Sequence, residues 1–175
     1  KEYRDDIIDD SYQKLDQGIM NFINQYHFSQ FVMAIKGAGF VSSKQLNSQM
    51  TLDFAYTLYL MLLDDPEIPN AQIKRYVQKW FVLSTLTSRY IGSPETQMDR
   101  DMRSIGEKGF LKFLLEIEAS ALSETFWTVT LPQNLETSSV NSPGFNTFLA
   151  AQINQNCNSM LMNGTKIADL ITISG

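Results

Sequence analysis

The stretch AQIKRYVQKWFVLSTLTSRY, residues 71–90, decides the fold class. Ile73, Tyr76, Val77, Trp80, Phe81 and Ser84 recur at the three- and four-residue steps that place side chains on one side of an α-helix. Lys74, Arg75, Gln78 and Lys79 fill the opposite side. Between Trp80 and Leu86 the circumference is almost wholly apolar. The pattern predicts a helix over 71–90 whose basic first half is exposed and whose second half is buried. Ile91-Gly-Ser-Pro-Glu95 then reads as a stop followed by a start. Gly92 suits a C-terminal cap, Ser93 an N-cap, Pro94 the first helical position and Glu95 the first turn.

Working back from residue 71, Pro69 and Asn70 open that helix, and Asp64-Asp-Pro66 ends the one before it. That earlier helix is predicted to start at a Ser42 or Ser43 cap. It is apolar nearly all round from Phe54 to Leu63, as a central helix would be. Lys36-Gly-Ala-Gly39 breaks a short helix over Phe28–Ile35, its glycines marking a turn or a close backbone approach. At the start of the chain Ile8, Tyr12, Leu15, Ile19, Phe22, Ile23 and Tyr26 form one face of an amphipathic helix. Asp5, Asp6, Asp9 and Asp10 complement the positive end of its dipole, a better reading than a metal site.

Working forward from residue 95, a polar surface helix carries a narrow stripe of Met98, Met102 and Ile105, and Gly106 separates it from a core helix over 107–122. A short helical piece from Ser123 to the Leu131-Pro132 break precedes a loop over 133–144. Ser142-Pro143 opens a helix lined by Phe145, Phe148, Leu149 and Ile153. Asn163-Gly164 marks a turn, and Thr165 caps a last helix through Leu170. Met160–Met162 and Ile171–Ile173 are the only weak strand candidates. The expected fold is all-α: one irregular bundle of six to eight helices over 1–175, with a possible subdivision into 1–68 and 69–175. The lysine at residue 1 and the uncapped Ile-Thr-Ile-Ser-Gly175 read as cuts from a larger protein.

Charge is unevenly spread. Residues 1–70 hold five Lys/Arg and ten Asp/Glu, residues 71–112 eight and four, and residues 113–175 one and five. The middle is a basic island in a chain of net charge −5. It is either a solvated helix face or a surface for double-stranded DNA or another domain, with Lys74, Arg75, Lys79, Arg89, Arg100 and Arg103 as the candidate contacts. One cysteine, Cys157, and one histidine, His27, exclude an internal disulfide and a Cys/His zinc cage, and they suit a cytoplasmic setting. Leu58–Leu63 is too short to span a membrane.

The inventory for catalysis is thin. Cys157 has no second histidine to activate it, and Glu116 and Glu118 point to different helix faces. No phosphate-loop, zinc-protease or serine-hydrolase motif occurs, and no cofactor is expected. Two features invite more than a packing role. One is Arg89-Tyr-x-Gly-Ser-x-Glu95 after Trp80. The other is Gln152 with Asn154, Asn156 and Asn158, amides that need hydrogen-bond partners from this chain or a neighbouring domain.

Four stretches carry a resemblance: KGAGFVSSK (36–44); WFVLSTLTSRYIGSPE (80–95) with Asp99 and Asp101; Phe126-Trp127 with Leu131-Pro132 and LETSS (135–139); and Ser142-Pro143 with FLAAQ (148–152). In this order and spacing, over roughly residues 30–172, the chain resembles the helical region of GmrSD-type modification-dependent restriction proteins of bacteria and archaea. In that family the region joins a ParB-like nucleotide-hydrolysing domain to a C-terminal HNH nuclease domain. The resemblance implies a linker or scaffold in anti-phage defence, with those two domains as partners in the same chain. The nucleotide motif and the HNH histidines are absent here, so neither activity transfers to any residue. Trp80, Arg89, Tyr90, Gly92, Ser93, Glu95 and Gln152 carry over as a signature without an assigned role. The alternative is a protein-interaction module with no nucleic-acid role.

Overall fold

The computed structural model describes residues 2–173 except Ser138, with side chains described over 7–136 and 139–172. The side chains of Asp5 and Asp6, and the two chain ends, lie outside the described set. The described residues form nine α-helices and no strand. These are α1 Glu2–Phe22, α2 Gln25–Gly37, α3 Gln49–Leu63, α4 Asn70–Leu86, α5 Pro94–Lys108, α6 Phe110–Ala121, α7 Leu131–Thr137, α8 Pro143–Asn154 and α9 Ile167–Ile173. Both weak strand candidates fall elsewhere: Met160–Met162 in an exposed loop, Ile171–Ile173 inside α9. A lone bridge, Asn158 to Lys166, closes the base of that loop.

The amphipathic pattern of 71–90 puts Ile73, Val77, Trp80, Phe81 and Ser84 in the core. The all-round apolar α3 lies against α4, with α2, α6 and α8 packed about the pair. The core runs across residue 68 without interruption, since Leu58 and Leu62 share it with Val77 and Trp80. Most of its aromatic contacts are edge-on or tilted, as between Phe40 and Phe81 at 4.9 Å and between Trp80 and Phe113 at 5.1 Å, while Tyr56 and Tyr59 are stacked.

Several boundaries differ from expectation, each for a local reason. Helix α4 stops at Leu86, before Arg89 and Tyr90. Ser88 enters the left-handed region (φ 53°), and the Arg89 N–H donates to the Ser84 carbonyl at 3.0 Å, closing the helix without Gly92. Helix α5 runs through Gly106 and breaks at Gly109, whose φ is 78°. The stretch after Ser42 is a short 3-10 turn, Ser43–Gln45, and Ser48 caps α3 by accepting from the Thr51 N–H. Leu131-Pro132 is not a break. A wide π turn, Phe126–Thr130, leads into α7, where Pro132 sits in the first turn and no N–H is required of it. Helix α8 turns Asn146, Thr147 and Ala150 fully inward; of the expected face, Phe145, Leu149 and Ile153 are half-buried and Phe148 is exposed.

That inward face has a cause in the turn after α2. A Cβ on Gly39 (φ 98°) would lie 2.0 Å from the Ala150 carbonyl oxygen, so α8 rests on bare backbone. Only small and polar residues allow so close an approach. Buried Gln45 holds the loop that makes it. Its Oε1 accepts from the Val41 and Ser42 N–H groups at 2.9 and 3.1 Å, and its Nε2 donates to the Gly39 carbonyl at 3.2 Å. Gln45→Ala is expected to cost about 2 kcal/mol, because buried backbone groups lose their partner. Urea unfolding monitored by circular dichroism measures it.

Candidate functional site: the basic face and the cleft beside it

Lys74, Arg75 and Lys79 stand exposed on the first half of α4. The other expected cations lie outside α4. Arg100 and Arg103 are exposed on α5, where Arg103 pairs with Asp99 at 2.9 Å. Lys79 pairs with Glu118 of α6 at 2.7 Å. Lys108 pairs with Glu116. Arg89 leaves the contact set altogether.

Arg89 instead builds a polar knot at the α4–α5 junction. Its Nε and Nη2 donate to Asp101 Oδ2 and Oδ1 at 2.7 and 2.6 Å. Tyr90 Oη donates to Oδ2 at 2.8 Å, and Gln97 Nε2 to Oδ1 at 2.9 Å. Asp101 is 2% exposed, so four donors replace the water it has lost. The guanidinium lies 5.4 Å from the Trp80 ring centre and 5.9 Å from that of Phe113. Burial works against the Arg89 charge, but its hydrogen bonds to Asp101 and that carboxylate's charge outweigh it and hold its pKa above the ordinary value. Burial pushes the Tyr90 hydroxyl far up, and the neighbouring carboxylate adds to the shift.

The signature residues therefore divide. Trp80, Arg89 and Tyr90 are held in this knot, while Gly92 (φ 98°) and Ser93 form an exposed turn before α5 and Glu95 is exposed in its first turn. Gln152 is half-buried on α8. Two amides of that helix find partners within the chain: Asn154 donates to the Gly37 carbonyl at 2.8 Å, and Asn146 to Asn47 Oδ1 at 2.9 Å. Asp101 was legible as a special residue. It falls on the same helical stripe as Met98, Met102 and Ile105, where a lone carboxylate needs a cation.

Beside the basic face lies an open cleft of about 490 Å³, between α4, α8 and the π turn. Val82, Leu83, Leu86, Leu122 and Ala150 make its floor, and Trp127 forms one wall. Arg75 and the Lys79–Glu118 pair edge it. Its size is that of a ligand or peptide cleft. The described residues hold no group of three His, Cys, Asp or Glu able to bind a metal. No helix among them is long and apolar enough to cross a membrane.

No protein-family model, curated protein or solved structure matches the chain.

Proposed function

We infer that this chain is a non-catalytic helical scaffold that works by docking other protein surfaces. In the setting that the GmrSD resemblance implies, those surfaces belong to the nucleotide-hydrolysing and HNH domains of a cytoplasmic restriction protein. One observation carries the reading: half of the basic island is already neutralised. Of its eight cations, Lys79, Arg89, Arg103 and Lys108 pair with Glu118, Asp101, Asp99 and Glu116. A surface built to follow phosphates leaves its cations free along one track. The cleft next to Arg75 offers apolar floor and aromatic wall instead, the features of a protein contact.

A second reading, direct contact with double-stranded DNA, is favoured by Lys74 and Arg75, exposed side by side on α4 with no ion-pair partner among the described residues. Fluorescence anisotropy with a labelled duplex separates the two. The scaffold reading expects no saturable binding at 50 mM salt. Two phosphate contacts would instead give binding that weakens about tenfold between 50 and 200 mM salt and is lost in Lys74→Glu/Arg75→Glu. The purified chain is expected neither to hydrolyse GTP nor to nick plasmid. Either activity, persisting through repurification, would overturn the scaffold reading.

A further inference from the structure

The charges along the cleft beside α4 do not balance. Arg75, Lys79 and Glu118 are its charged side chains among the described residues, and Lys79 and Glu118 neutralise each other at 2.7 Å. Arg75 is left over, exposed and with no ion-pair partner among the described residues. A second cation stands beside Gly37, which is part of the cleft wall. Lys74 Nζ lies 3.5 Å from the point that a Cβ on Gly37 would occupy. The last turn of α2 does not need either cation as a hydrogen-bond donor, because its carbonyls already accept from amides. Ala34 accepts from Gln78 Nε2 at 2.9 Å, Ile35 from the Ala38 N–H at 3.0 Å, Lys36 from the Gly39 N–H at 2.9 Å and Gly37 from Asn154 Nδ2 at 2.8 Å. No carboxylate on the two long walls competes for them. Helix α4 holds Lys74, Arg75 and Lys79 as its only charged residues, and α8 holds none.

The rest of the cleft is apolar, and part of it is bare. Leu86 and Leu122 are half-buried on the floor, and Trp127 in the wall is 49% exposed. Tryptophan and arginine are among the residue types that most often carry the binding energy of a protein contact, and here they stand on one cleft.

Size and charge together select the occupant. One turn of helix with its side chains fills roughly 400–600 Å³. A cleft of about 490 Å³ therefore takes a short segment of chain and not a whole domain face. A DNA backbone would meet the cations but leave the apolar floor and Trp127 unused, and α8 offers it no charge. An apolar segment without a negative charge would leave Arg75 unanswered.

We propose that the cleft receives a short acidic segment of a partner protein, which seats large apolar side chains against Trp127 and Leu86 and sets a carboxylate against Arg75. This rests on the docking reading and names the chemistry of the partner.

Titration calorimetry of the full 175-residue chain at low salt, with three end-blocked octapeptides, tests it. Each peptide carries a Leu-Phe pair at its centre, flanked by glutamates in the first, glutamines in the second and lysines in the third. The glutamate peptide is expected to bind most tightly, the glutamine peptide about fivefold less tightly and the lysine peptide least. Tryptophan emission locates the contact, since the peptides hold no tryptophan and Trp80 is already fully buried. Saturation is expected to shift the emission of Trp127 to the blue. Arg75→Glu is expected to reverse the order of the glutamate and lysine peptides. Trp127→Ala is expected to weaken the glutamate peptide about thirtyfold. Both side chains are exposed, so circular dichroism is expected to show the helices unchanged. Equal affinity for the three peptides overturns the acidic partner and leaves the docking reading in place. Absence of binding by the glutamate peptide, or its displacement by a short DNA duplex, overturns the proposal outright.

Discussion

Asp101→Ala is expected to destabilise the protein by about 3–5 kcal/mol, because it strands the buried Arg89 guanidinium without its counter-charge. Tyr90 and Gln97 lose their acceptor in the same step. For a chain of this size the thermal midpoint should fall by roughly 6–20 °C. Asp101→Asn should recover only part of the loss: it restores an acceptor but not the charge. Arg89→Met combined with Asp101→Leu should be far less damaging than the sum of the two single changes, since no lone charge remains in the core. Scanning calorimetry of the unaltered protein, Arg89→Met, Asp101→Leu and the double variant closes the cycle. If Asp101→Ala costs under about 1 kcal/mol, the knot is a surface ion pair and its burial has been misjudged.

Gly39→Ala is expected to cost about 3–5 kcal/mol, combining left-handed strain with a clash that side-chain movement cannot relieve. The added methyl would meet backbone, the Ala150 carbonyl oxygen, at 2.0 Å, so α8 must retreat from the turn after α2. Gly92→Ala is the matched control. Gly92 has the same φ of 98° but nothing within 4 Å of its would-be Cβ. It should cost about 1 kcal/mol, the strain alone. Equal losses at the two glycines would mean that the α2–α8 approach adjusts freely.

How far these features are legible before folding depends on range. The helix over 71–90 is plain because Ile73, Val77, Trp80 and Phe81 repeat with the helical period, and the opening of α5 is plain because Ser93-Pro94 is a local signal. The end of α4 is not. Ser88 turns there because Arg89 and Tyr90 must reach Asp101, a residue 11 to 12 positions on. The inward face of α8 is likewise hidden, since Phe145, Phe148 and Leu149 make the better hydrophobic face. It is the bare backbone at Gly39, over a hundred residues away, that calls for Ala150, and Asn47 that takes the amide of Asn146.

Periodicity and capping, both written within a few residues, determined from sequence alone that this protein is a bundle of helices, where most of those helices start, and that α1 is one-sided. Tertiary structure decided which charges are free and which apolar faces are covered. A cation such as Arg89 reads the same in sequence whether it faces solvent or a carboxylate, and an apolar stripe such as Ile8–Phe22 reads the same whether it is buried or bare. The difference lies in what long-range packing brings within hydrogen-bond or van der Waals distance, which local spacing does not encode.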